Sequence, residues 1–226
     1  MNRVILPEHA EAFWDGRYAG GLLYGTEPTS VARRLAPFFR SHGVRTILDA
    51  GCGSGRDALF YARKGFAVTG VDLSGQAIRR AQEQARSVGL AATFLRDDLL
   101  DSALPSGSFD AVVAIHLVHL LPEDARRAAV NQFWRLARDG GLVVMANYST
   151  AEAGFDQWEP YIEPNTRVDS KGKLIHFFDE ESMRALLPPG RFDLLACEEV
   201  DLFEIPDSGP VSHREWLTIA RKICPC

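Results

Sequence analysis

Three glycines spaced two apart and bracketed by carboxylates are the residues of this sequence best arranged for chemistry. They lie in D-A-G-C-G-S-G, where Asp49 precedes Gly51, Gly53 and Gly55 and the intervening residues are small. Glycines so placed open positive φ to the backbone and leave room for a ligand against bare main chain. A second carboxylate, Asp72, follows in V-T-G-V-D. The dinucleotide fingerprint G-x-G-x-x-G, counted from Gly51, demands glycine where Arg56 stands. A P-loop demands Lys followed by Ser or Thr, which this turn lacks. What remains is D-x-G-x-G-x-G with an acid closing the next strand. Further along, His116 and His119 in I-H-L-V-H are the nearest groups able to take up a proton.

These residues need a frame, and the flanking patterns supply one. The uncharged run 46–48 reads as a strand buried on both faces. Residues 57–64 carry Ala58, Leu59, Tyr61 and Ala62 at helical spacing, and Gly65 ends that helix. Residues 66–71 form a second strand with Asp72 at its carboxyl end, the edge where open α/β sheets bind ligands. Ser74 caps a helix over 76–88, and 92–95 form a third strand ending in Arg96, Asp97 and Asp98. A nearly all-apolar fourth strand, 111–115, ends at His116. Pro122 opens a helix striped by Ala125, Ala129, Phe133, Leu136 and Ala137, and Gly140–Gly141 turn into a fifth strand, 142–146.

The alternation stops after Tyr148. Residues 149–173 hold Gly154, Pro160, Pro164 and Gly172 among Phe155, Trp158 and Tyr161, an irregular insertion read as a substrate-side lid. A helix over 180–187 capped by Asp179 and strands over 192–200 and 216–220, joined by a turn at 207–210, complete the chain. Strands joined in that way form an antiparallel hairpin. The expected fold is α/β, a doubly wound seven-stranded mixed sheet with a C-terminal antiparallel hairpin. It forms a single domain over 1–226, with a helical and aromatic N-terminal cap over 1–43 whose first helix is expected around Glu8 to Trp14. In that cap Trp14, Tyr18 and Tyr24 either form a lid or pack a helix onto the sheet.

Composition narrows the functions. The 226 residues carry a formal charge of −5, which offers no basic face for nucleic acid. The pairs Arg33–Arg34, Arg79–Arg80 and Arg126–Arg127 read as solvated helix faces. No apolar run is long enough for a membrane and the N-terminus lacks a signal-peptide pattern, so a cytoplasmic protein is expected. The 4 cysteines form no C-x-x-C pair and no metal-ligand spacing, so no metal is expected and Cys52 reads as an apolar filler.

The glycine turn with its two acids resembles the S-adenosylmethionine site of class I methyltransferases. The likeness covers nearly the whole chain, since five parallel strands followed by a hairpin is that family's architecture. The resemblance implies S-adenosyl-L-methionine as cofactor. It assigns its methionine and ribose parts to Asp49, Gly51, Gly53, Gly55 and Asp72, with Leu73 adjoining, and its adenine to Asp98 and Leu99, with Asp97 a neighbour. It also implies a backbone contact from Ile115 and His116. W-D-G-R-Y, Y-G-T-E-P and H-R-E-W-L-T-I-A-R-K are similar to a bacterial small-molecule branch related to tellurite-resistance and thiopurine methyltransferases. In that branch N-terminal aromatics cover the cofactor, which implies the same for Trp14, Tyr18 and Tyr24.

The implied activity is methyl transfer to a small-molecule acceptor, through a soft sulfur, selenium or tellurium nucleophile or a hydroxyl, by a monomer or homodimer. A soft anion needs no general base. A hydroxyl does, and His116 is the first candidate for that catalytic role, ahead of His119. The alternatives are a protein that binds the cofactor or its product without transfer, and a macromolecule methyltransferase. The acidic balance and the I-H-L-V segment, in place of an N/D-P-P-Y motif, count against the latter.

Overall fold

The uncharged run Thr46–Ala50 forms β1, and its neighbours show why it must be apolar. In the computed structural model, which describes residues 9–161, 163–204 and 211–224, β1 pairs in parallel with two strands at once. One is β2 (Ala67–Asp72) and the other β4 (Phe109–Ile115). Leu48 therefore stands opposite Thr69 on one side and Val112 on the other. Alternation along β1 sends Ile47 into the core beneath α2 (Ser30–Ser41), α3 (Arg56–Arg63) and α4 (Gly75–Ser87). Leu48 enters a second core on the opposite face, shared with α5 (Glu123–Leu136) and α6 (Glu180–Ala185).

With β3 (Thr93–Arg96), β5 (Ala137–Tyr148), β9 (Phe192–Glu204) and β10 (Val211–Lys222), the main sheet has the order β3-β2-β1-β4-β5-β10-β9. Strands β1 to β5 run parallel, whereas β10 pairs antiparallel with both β5 and β9. Strand order reverses between β1 and β4, and the crevice at such a switch point is where this architecture binds ligands. The seven-stranded mixed sheet and its antiparallel hairpin are as expected. The expected turn at 207–210, the tail residues Pro225 and Cys226, and Glu8 at the start of the first predicted helix lie outside the described residues.

Three regions differ from expectation. The first helix, α1 (Ala10–Ala19), runs on through Trp14 to Ala19, and α2 is not part of a covering layer. Val31, Leu35 and Phe39 of α2 are fully inside the main core, so the cover consists of α1 and the loop after it. The insertion is not wholly irregular. It builds a second antiparallel sheet from β6 (Glu159–Pro160), β7 (Thr166–Val168) and β8 (Leu174–His176). Asp169 Oδ1 accepts from the main-chain N–H of Lys171 (2.8 Å) and Lys173 (2.9 Å), which folds the β7–β8 turn. Strands of two or three residues are too short for periodicity to reveal.

The third difference is Arg126. It is not solvated but 4% exposed, donating to the Leu121 carbonyl and pairing with Glu163 of the insertion. Arg126 and Glu163 thus tie the small sheet to α5.

Candidate active site

Gly51, Gly53 and Gly55 all adopt positive φ, at 73°, 53° and 85°, so the turn after β1 is one that glycine alone accepts readily. The main-chain N–H of Gly51 and of Cys52 donate to the Val71 carbonyl, at 2.8 and 2.9 Å. Asp72 completes the turn: Oδ2 accepts from Gly53 N at 2.8 Å and Oδ1 from Ser74 N at 2.9 Å. Ser74 caps α4 through Ala77 N, as expected, and its hydroxyl donates to Asp15 Oδ1 at 2.6 Å. Gln76 N donates to the same oxygen at 3.0 Å, so Asp15 clasps α1 to the start of α4.

This clasp sets Tyr18, 5% exposed, against the glycine turn. A Cβ on Gly53 would collide with the Tyr18 hydroxyl, and one on Gly51 would lie 2.9 Å from Leu117 Cδ1. Gly55 faces the other way. Its Cβ would meet Ala81 and the Phe94 ring at 3.0 Å, so it packs the turn onto α4 and β3 and starts α3, and it does not line the cleft.

A cleft of about 350 Å³ opens at the carboxyl ends of β1, β2 and β4, within the usual size of small-molecule sites. Asp49, Gly51, Gly53, Asp72 and Leu73 line it, as do Asp98, Leu99 and Ile115. Trp14, Tyr18 and Tyr24 line it from the N-terminal side, with Tyr24 the most open of the three at 41% exposed. Asp98 Oδ1 accepts from Leu100 N and caps the short turn after β3, whereas Asp97 binds Ser102. Asp49 is the unusual member. It is 4% exposed, its Oδ2 has no hydrogen-bond partner, and burial together with Asp57 and Asp72 pushes its carboxyl well above the ordinary range. Asp57 is occupied by the main-chain N–H and hydroxyl of Thr29.

The far half of the cleft is built from histidines and aromatics. His116 sits just beyond β4 with φ of 57°, unusual for a residue bearing a side chain. Its Nε2 meets Glu215 Oε1 at 2.7 Å, and Glu215, on β10, is fully buried with its second oxygen unpartnered. His119 is 2% exposed, lies flat on Tyr148 (ring centroids 4.5 Å apart), and leaves Nδ1 without a partner. Burial, then the neighbouring His116, holds the His119 imidazole neutral. The Tyr148 ring also approaches His213 at 5.1 Å, and His213 Nδ1 is 3.1 Å from Glu152. Tyr161 and Lys173 of the insertion close this half.

The insertion is therefore divided in role. Phe155 and Trp158 pack on Phe177, as a packing loop would, while Tyr161 and Lys173 reach the cleft. Reading the sequence missed Glu215, Tyr148, Lys173 and Asp15. For Glu215 a signal existed: an acid entering the apolar run W-L-T-I-A is costly to bury unless partnered. His176 is buried against Thr166 and Glu163 and takes no part in the cleft lining. Cys52 is buried, in keeping with a filler, and also touches the cleft. No cluster of metal-ligating side chains occurs among the described residues.

A sheet of this order, with its cleft at the β1–β4 switch point, is the class I methyltransferase fold. Residues 47–141, somewhat under half of the chain, match the family described as a methyltransferase domain. Among curated relatives, the phosphatidylethanolamine N-methyltransferase of Cereibacter sphaeroides is 33% identical over 133 residues, 58% of this chain and 64% of that enzyme. The chain thus spans less than two thirds of that relative's length. A structure solved in work on the conversion of a disulfide bond into a thioacetal group during echinomycin biosynthesis aligns with a TM-score of 0.76 at 25% identity. It covers 95% of this chain and 93% of that one. The fold is shared as well by the 1,6-didemethyltoxoflavin-N1-methyltransferase of Burkholderia thailandensis, solved with 1,6-didemethyltoxoflavin and S-adenosylhomocysteine. There the TM-score is 0.69 at 19% identity, over 97% of this chain and 91% of that one.

The residues present suit S-adenosylmethionine as cofactor. An unpartnered, buried carboxylate oxygen at Asp49 calls for a cationic donor such as the methionine ammonium, and the main chain of Gly51 and Gly53 lines the cleft beside it.

Proposed function

We propose that this protein transfers the methyl group of S-adenosyl-L-methionine to a hydroxyl of a small-molecule acceptor. When bound, the cofactor supplies a methyl carbon made electrophilic by its sulfonium. In this reading Asp49 accepts from the cofactor's ammonium, Asp72 from its ribose hydroxyls and Asp98, beside Leu99, from its adenine amine. Trp14, Tyr18 and Tyr24 cover the site and exclude water, which strengthens each of these contacts.

The observation that carries the hydroxyl acceptor is the 2.7 Å pairing of His116 with Glu215. A hydroxyl is a weak nucleophile until a base takes its proton. Glu215 fixes the orientation of the imidazole through Nε2 and stabilises the imidazolium that forms when His116 takes that proton. Thiolate, selenide or telluride acceptors, suggested by the N-terminal likeness to tellurite-resistance and thiopurine methyltransferases, would leave the pair of His116 and buried Glu215 without a task. A cofactor-binding protein without transfer would have no use for it either. The charge of −5 favours a small molecule over nucleic acid. No helix among the described residues is long and apolar enough to cross a membrane, and we take the protein to act in the cytoplasm as a monomer or homodimer.

The test is a methyl-labelled cofactor screen over phenols, aliphatic alcohols, thiols, selenite, tellurite and amines. Labelled ethers are the expected products. Turnover confined to thiols or chalcogen anions would refute the hydroxyl assignment, and labelled RNA or protein would refute the small-molecule one.

A further inference from the structure

Lys173 lines the cleft from the turn before β8, half-buried, and its ammonium makes no ion pair or hydrogen bond among the described residues, Asp169 acting on it only from a distance. The nearest acid in sequence, Asp169, turns one oxygen to the main-chain N–H of Lys171 and Lys173 instead. Arg17, close enough to repel it, also has a buried Nη1 with no partner. On the acceptor side the acids are already engaged: Glu215 by His116 and Glu152 by His213 and the Arg214 main-chain N–H. His119 adds a buried Nδ1 with no partner on the same wall.

A half-buried ammonium in such company is costly unless an anion meets it. Burial already pulls the Lys173 ammonium below its ordinary range. The surrounding walls are aromatic, with Phe13, Trp14, Tyr148 and Tyr161 lining the same cleft. Resting on the hydroxyl reading above, we propose that the acceptor is a small hydroxyaryl carboxylate whose carboxylate pairs with Lys173 while its hydroxyl faces His116. Lys173 is then a specificity residue. It selects acids over neutral phenols and takes no part in proton transfer. The carboxylate of the cofactor's own methionine is the competing source of the same charge, and binding measurements separate the two.

The full chain saturated with S-adenosylhomocysteine is titrated calorimetrically with 2-, 3- and 4-hydroxybenzoate, 4-hydroxyphenylacetate and 4-hydroxycinnamate, each beside its carboxamide. At least one acid is expected to bind tighter than its amide by about tenfold or more, the scale of a hydrogen bond to a charged group. Lys173→Met should erase that preference, Lys173→Arg should keep it, and S-adenosylhomocysteine affinity should stay unchanged in both. Equal binding of acids and amides, or binding of neither, overturns the proposal. A Lys173→Met variant that loses S-adenosylhomocysteine affinity and keeps the acid preference overturns it too, because the anion is then the cofactor's. Methylation of neutral phenols with no acid preference would remove this inference and leave methyl transfer standing. Acid binding through Lys173 without turnover would do the reverse.

Discussion

His116 Nε2 and Glu215 Oε1 meet at 2.7 Å across 99 residues of sequence, one at the end of β4 and the other inside β10. The backbone of His116 is held in the left-handed region by its N–H to the Ala146 carbonyl, so the ring is aimed by the sheet itself. Such a conformation costs on the order of 1–2 kcal/mol for a residue with a Cβ and persists where the surroundings over-determine it.

His116→Asn should keep the fold, because asparagine tolerates positive φ, and lower kcat by about 10²–10⁴, the range for loss of a general base. Glu215→Gln should lower kcat less and shift the pH profile, since the imidazole remains without its charged partner. Initial rates from pH 6 upward read both variants. Wild-type rates in His116→Asn would end the base assignment.

Asp72→Ala should weaken S-adenosylhomocysteine binding by about 1.5–3 kcal/mol, the scale of a hydrogen bond to a charged acceptor. Gly53→Val should be worse, because its side chain would meet the Tyr18 hydroxyl from a φ of 53°. Calorimetric titration measures both, and an unaltered affinity in Asp72→Ala would exclude it as a ribose ligand.

Asp15→Ala removes both bonds by which α1 grips the start of α4. The bonds from Gln76 N and the Ser74 hydroxyl hold the Asp15 carboxyl below its ordinary range, so the clasp stays charged through mildly acidic pH. The variant should release α1 to limited proteolysis and weaken cofactor binding without lowering the melting temperature of the sheet. Equal cleavage rates with and without the substitution would show that Asp15 does not hold the cover.

His176 carries a pH dependence of stability. Burial, followed by the nearby Arg126, lowers its pKa to about 3, with Asp179 opposing. Unfolded, the ring would titrate near ~6.5, so its contribution is whole above that value and is lost as pH falls toward 3. Glu163 and Thr166 also face the ring, and both belong to the insertion. Trp158 fluorescence should therefore report loosening of the small sheet between about pH 6 and 4, before the main sheet melts. A flat signal over that window would contradict the neutral, buried ring.

Asp110 protects the main sheet at lower pH. Burial raises its carboxyl, but the Thr46 and Arg45 main-chain N–H, Arg138 and the Thr46 hydroxyl together bring it to about 2. A depressed carboxylate stabilises above the unfolded value and fails as pH drops through the folded one. Wild type should thus lose stability from about pH 4 down to 2, and Asp110→Asn should lose less over that interval while starting lower.

The main sheet was legible because its signals are local. An apolar run, a glycine after it and a cap before each helix depend on neighbouring residues, and the strands and helices lie where those signals put them, with ends of α1, β5 and β10 about five residues off. The small sheet was not legible, since strands as short as Thr166–Val168 carry no period and their pairing depends on a turn made by Asp169. Arg126 reads as surface in sequence because its partner Glu163 lies 37 residues away.

The glycine turn itself divides the same way. By itself the sequence determined the positive-φ turn, the acids at both strand ends and the exclusion of dinucleotide and P-loop binding, because glycine spacing is a constraint on consecutive backbone angles. Only the tertiary structure decided that Gly51 and Gly53 face the cleft while Gly55 packs against Phe94. It alone brought Glu215 to His116 and set the Lys173 ammonium on the cleft wall with no ion pair among the described residues. Those facts depend on which distant strands lie side by side, and charge pairing across a sheet is set by strand order and register, which no local pattern encodes.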